Sequence, residues 1–181
     1  MTIADDWRQD ALERIRLPRS MRLRLTRSGL TVVPVTQAHL TTQRRIASQI
    51  ETGMPGWFPV GEFSISPPRE GHQPEPDVSA LPLDKFDASK TRFPEDLLPF
   101  VVEVVSPERE GRDYNTKPDH YAMRGIPAYL VVNVLSARWI LLTRPVDGEY
   151  QHTESGVFGD EIRIPVADQT LVLGSSQFMR V

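Results

Sequence analysis

The chain has 181 residues, 39% of them hydrophobic and 25% charged, with 16 prolines and no cysteine. That is enough apolar material for one domain with its own core, and it excludes disulfide scaffolds, cysteine nucleophiles and thiolate zinc sites. The net charge of −3 excludes a protein that coats nucleic acid through bulk basicity, so any such contact needs a local patch.

No apolar run approaches the roughly 20 residues that span a bilayer. The segment Met1 to Asp10 is acidic and polar, unlike a secretory leader. A soluble cytoplasmic protein without a membrane partner is expected.

Arg14 to Arg27 carries six arginines and no acid. Leu23 and Leu25 alternate with Arg22 and Arg24, the pattern of an edge strand with one wet face; a phosphate-contacting arm is the alternative. Residues 1–28 are read as an N-terminal arm or edge strand and residues 29–181 as the main domain. Leu30 to Val35 is β-branched, and Thr36 is placed to cap a helix over 37–52, whose stripe is Leu40, Ile46, Ala47, Ile50 and Met54. Gly53, Pro55 and Gly56 stop it.

Val60 to Ser66 alternates as a strand, and Asp77 to Leu81 follows as a short one after a polar loop. Residues 82–97 form a second polar loop with room for a helical turn. Pro99 to Ser106 is nearly all apolar and predicts a central strand buried on both faces. A helix is expected over 112–124, closed by Gly125, followed by strands at Ala128 to Leu135, Trp139 to Thr143 and Glu149 to Thr153. Two short strands end the chain, at Glu161 to Ile164 and Thr170 to Leu173; the second is a candidate dimer interface. This order predicts an α/β or α+β fold with a mixed central sheet, not a regular βαβ repeat.

Glu103 interrupts the apolar run Val101-Val102-Glu103-Val104-Val105 and shares a face with Val101 and Val105. A carboxylate there costs several kcal/mol unless it is paired or bound to a metal. Asp77 opens the preceding strand. Taken alone, Asp77 suits a turn and Glu103 suits an arginine ion pair; two carboxylates on neighbouring strands make a pocket for a hard divalent cation. Asp113, Lys117 and Tyr121 follow at four-residue intervals and share a face if that stretch is helical. Pro118 either bends such a helix or begins it.

Pro76-Asp77, Val102-Glu103-Val104-Val105-Ser106, Arg112-Asp113, Lys117, Tyr121-Ala122, Gly125-Ile126-Pro127 and Tyr129 together resemble the Uma-two family of restriction endonucleases, within the PD-(D/E)XK nuclease superfamily. The likeness runs from Pro76 to Thr143 and includes the helix carrying His39. It implies a restriction-endonuclease-like mixed sheet flanked by helices. It also implies that Mg²⁺ or Mn²⁺ is held by Asp77, Glu103 and the Val104 carbonyl. In the orthodox motif a lysine lies two residues after the strand acid, where this chain has Val105; the resemblance moves that role to Lys117. Asn133 stands where relatives tend to carry an acid.

The resemblance makes DNA the partner and phosphodiester hydrolysis the reaction. Arg109, Arg112 and Arg124 lie around the candidate centre and are read as nucleic-acid contacts, and a homodimer is the expected assembly. Lys85, Lys90 and Arg92 add modest basic character in the 82–97 loop. His39 and Gln43, one turn apart, are accessory candidates, with an ordinary, partly exposed helix-start histidine as the plainer reading of His39. Glu51 lies a third of a turn around the helix from His39 and makes a poor helix acid. Three alternatives stay open. One is a catalytically inactive nucleic-acid-binding protein of this fold, another is a structural assembly protein, and the third is a metallohydrolase with a different substrate.

Overall fold

In the computed structural model of the chain, residues 21–26, 29–34, 36–67, 75–105 and 114–181 are described. The expected roles of Arg109, Arg112 and Asp113, and most of the arginine-rich arm, fall outside them. The chain divides into two compact units, Met1–Gln37 and Ala38–Val181. In the first, β1 (Met21–Thr26) and β2 (Gly29–Pro34) form an antiparallel hairpin with Arg24 opposite Thr31.

The second unit is built on a six-stranded sheet. Its members are β3 (Trp57–Val60), β5 (Val78–Pro82), β7 (Val101–Val105), β8 (Ala128–Asn133), β9 (Arg138–Val146) and β10 (Glu149–Val157), in the order β10-β9-β8-β7-β5-β3. β7 and β8 run parallel and the other neighbours antiparallel, so the sheet is mixed as expected. All five residues of β7 are buried. Val102 and Val104 point into one core with Ile46 and Ile50 of α1 (Gln37–Gly53), while Val101 and Val105 point into the other with Tyr121 of α2 (Lys117–Ala122). Alternation along one strand thus feeds two hydrophobic layers.

β4 (Ser64–Ser66) and β6 (Arg92–Pro94) form a small parallel pair, and β11 (Glu161–Val166) and β12 (Gln169–Gly174) form a hairpin. Ile162, Ile164, Leu171 and Leu173 of that hairpin are fully buried in the α1-side core. The strand proposed for a dimer interface therefore spends its apolar side within its own chain. Among the described residues, no helix is long and apolar enough to cross a membrane.

Three local expectations are corrected. The strand at Val60 to Ser66 is broken at Glu62, whose φ of 55° is incompatible with a continuing strand, and β4 begins only at Ser64. The 82–97 loop contains β6, anchored by buried Phe93 against Phe63. The helix expected over 112–124 is interrupted at Thr116: Tyr114 and Asn115 are helical, and a separate helix runs Lys117–Ala122 with Pro118 in its first turn, where a missing N–H costs nothing. Gly125, at φ 68°, ends that region in the left-handed conformation expected of it.

Candidate active site

Asp77 lies one residue before β5. The antiparallel register pairs Val78 with Val102 and Ser79 with Val101, and one further step sets Asp77 opposite Glu103. Two hydrogen bonds fix it there: the Asp77 N–H donates to the Val102 carbonyl (3.1 Å), and the Val104 N–H donates to Asp77 Oδ2 (2.8 Å). Gly61 allows this approach, since a Cβ at that position would lie 2.8 Å from the Asp77 carbonyl oxygen.

Glu103 is fully buried. Tyr121 donates its hydroxyl to Oε1 at 2.7 Å, and Lys117 Nζ lies 2.6 Å from Oε2. Both partners come from one face of α2, four residues apart. Pro118 thus sits in the first turn of the helix that begins with Lys117, itself only 4% exposed. The Tyr121 hydroxyl is pushed well above its ordinary pKa by burial first, and then by the negative charge of Glu103, with Asp77 adding to it. It remains a neutral donor, and both carboxylates act on one phenol.

His39 is buried, against the expectation of partial exposure, and its Nε2 lies 3.5 Å from Asp77 Oδ1. Gln43, one turn on, is buried beside a cavity of about 320 Å³ that Asp77 also lines. The cavity brings in residues that sequence reasoning missed: Arg44 and Ala47 of α1, and Gly61 and Glu62 after β3. The visible signals were the Gln43-Arg44 step on the helix carrying His39 and a glutamate interrupting an otherwise apolar segment.

Other expected residues lie elsewhere. Arg124 is buried and engaged by Glu95 Oε2 (2.9 Å) and the Pro67 carbonyl (3.1 Å), a structural role that takes its guanidinium away from a nucleic acid. Asn133 is buried; it donates to the Tyr114 hydroxyl, and its Oδ1 accepts from the N–H groups of Leu135 and Ser136. Glu51 is exposed.

The donors present suit a hard cation. Among the described residues no group of three or more His, Cys, Asp or Glu side chains gathers in a metal-holding arrangement, so a closed zinc-type cage is not on offer. Mg²⁺ needs less: it is commonly held by one or two carboxylates plus water. Asp77 and Glu103 offer two such buried carboxylates, and Glu103 also meets the ammonium of Lys117.

A solved structure from Anabaena variabilis ATCC 29413, described as a putative nuclease belonging to DUF820, shares this fold with a TM-score of 0.64 over 94% of this chain and 98% of that one, at 15% identity. No curated protein matches the sequence. The family model Uma2, described as "Putative restriction endonuclease", matches residues 9–173. Its span takes in both acids, the lysine and the helix carrying His39, and the chain belongs to the Uma2 family.

Proposed function

We propose that the protein is a metal-dependent endonuclease that hydrolyses phosphodiester bonds in DNA. The observation carrying this reading is that buried Asp77 and Glu103 lie opposite one another in the register of β5 and β7, and that Glu103 meets the amine of Lys117. Mg²⁺ or Mn²⁺ would be held by Asp77 and Glu103, with the Val104 carbonyl as a third oxygen, and would supply Lewis acidity toward the phosphoryl oxygens and the attacking water.

The chain's own groups do the positioning. The Val104 N–H and His39 fix the Asp77 carboxylate, and Tyr121 fixes Glu103. Glu103 Oε2 accepts a hydrogen bond from the attacking water. Lys117 donates to a non-bridging oxygen of the scissile phosphate and offsets charge that grows there in the transition state. The water oxygen bonds to phosphorus as the P–O bond to the leaving sugar oxygen breaks; the water gives up one proton and the departing sugar oxygen takes one up, leaving as an alcohol.

A second reading, an inactive nucleic-acid-binding or assembly protein of the same fold, draws on buried Val105 in the place of the strand lysine and on the closed Lys117–Glu103 pair. Cleavage of supercoiled plasmid DNA with Mn²⁺ or Mg²⁺ separates the two. The endonuclease reading expects nicking that stops with EDTA and is lost in Glu103→Gln. Equal cleavage by that variant, or none by the native protein at any divalent-ion concentration, overturns it.

A further inference from the structure

We propose that two copies of this chain associate through β10, whose free edge pairs antiparallel with the same edge of the second copy about a two-fold axis at Thr153. The proposal does not rest on the endonuclease reading.

The two edges of the six-stranded sheet are built differently. At one end β3 has four residues, none of them exposed, and carries Pro59. Short edge strands and prolines discourage further pairing. At the other end β10 runs for nine residues, Glu149–Val157, without proline, lysine or arginine. Among the described residues it pairs on one side only, with β9, and Gln151 to Ser155 are all exposed. An open strand of that length is a template for another strand.

The Phe158 N–H donates to the Ala137 carbonyl (2.9 Å), one step beyond the pairing of Val157 with Arg138. Peptide groups alternate in sense along a strand, so Thr153, Ser155 and Val157 direct theirs away from β9. The Val157 N–H does so, donating to Asp160 Oδ2 (3.0 Å), which closes that end of the edge. The N–H and carbonyl of Thr153 and of Ser155 face the open side.

Symmetry and charge select the register. An axis at Thr153, the midpoint of β10, pairs the strand along its whole length. Thr153 then exchanges two hydrogen bonds with the partner's Thr153. The flanking pairs, in which side chains come closest, set His152 opposite the partner's Glu154, and symmetry makes that contact twice. Opposite charges across strands are favourable and like charges are not. Moving the axis to Glu154 would set two carboxylates face to face, and moving it to His152 would do the same to two imidazoles. An axis at Ser155 shortens the paired stretch to Thr153–Val157. Residues directly opposite share a face, so Leu142 and Ile140 of β9 lie beside Thr153 and Ser155. Both pack against the α2-side core yet are only half-buried, and a second strand next to these small hydroxyl side chains would cover them.

The test is sedimentation velocity on the full-length protein from micromolar to millimolar concentration. A species of twice 20.5 kDa should grow with concentration, and amide hydrogen exchange at Thr153 and Ser155 should slow in step. Thr153→Pro removes an N–H that β9 does not use, so it should leave a monomer with unchanged circular dichroism. His152→Glu sets carboxylate against carboxylate twice and should weaken association about tenfold. Adding Glu154→Lys to that chain restores opposite charges across the axis and should recover it. A monomer at every concentration overturns the proposal, as does a dimer indifferent to both Thr153→Pro and the charge exchange. Slow exchange at Thr153 and Ser155 in a monomer also overturns it, since another segment of the chain would then hold the edge.

Discussion

Lys117 reaches Glu103 from the helix after β7 and not from β7 itself: Nζ sits 2.6 Å from Oε2, with both side chains withdrawn from solvent. In the orthodox superfamily motif the strand would carry this amine. Here the corresponding residue, Val105, is fully buried in the core, so the lysine's position depends on how α2 docks.

Removing one member of this pair leaves the other charge buried. Lys117→Ala should destabilise the fold by about 3–5 kcal/mol. The double variant Lys117→Met, Glu103→Gln, with no uncompensated charge, should recover much of that loss while remaining inactive. Urea denaturation of the three proteins checks this, and equal stability of the single and double variants would show that the pair contributes no coupling.

Asp77 has separable structural and chemical roles. Asp77→Ala strips the Val104 N–H of its acceptor and should cost roughly 1–3 kcal/mol. Asp77→Asn keeps an acceptor oxygen, so its stability should stay near that of the native protein while its Mn²⁺ affinity falls. Calorimetric titration with Mn²⁺ beside urea denaturation distinguishes the two effects.

Gly61→Ala tests the close approach of the segment after β3 to the acid. The new methyl would lie 2.8 Å from a backbone oxygen of Asp77, so a strand end must shift. A displacement approaching 1 Å at a catalytic group is worth on the order of a hundredfold in rate. Cleavage rates should fall by that order while far-UV circular dichroism is unchanged.

Alkaline pH should weaken the fold through two buried phenols. Burial raises Tyr121 and Tyr150 above the ordinary value of 10.0, and the charge of Glu103 adds to the effect at Tyr121. Below about pH 10 both phenols are protonated whether the chain is folded or not, and they contribute no pH dependence. Above it the unfolded chain releases protons that the folded chain retains, so stability falls, by up to about 1.4 kcal/mol per pH unit for each phenol. Urea midpoints at pH 9, 10 and 11 should show the decline, with a shallower slope in Tyr150→Phe, where the bond to the Ile126 carbonyl is also lost.

What the sequence disclosed was whatever periodicity or cost could mark. Glu103 stood out because an acid among valines is expensive, and α1 was legible from its apolar stripe. The pairing of Asp77 with Glu103 was accessible only as an inference, because register is a long-range property. His39 was misjudged as partly exposed: a helical pattern says which face a residue occupies, but not that Asp77 of a distant strand will close over it. Arg124 looked like a phosphate contact by its sign alone; its partner Glu95 lies 29 residues away, with no local pattern to announce it. β6 escaped notice because three residues with one buried phenylalanine carry no periodicity.

The one-step placement of Asp77 ahead of β5 has a consequence for anyone who re-engineers this protein. A strand reverses the sense of its side chains at every residue, so an insertion of one residue between Asp77 and Val78 would turn the carboxylate toward the opposite layer and leave Glu103 and Lys117 facing each other alone.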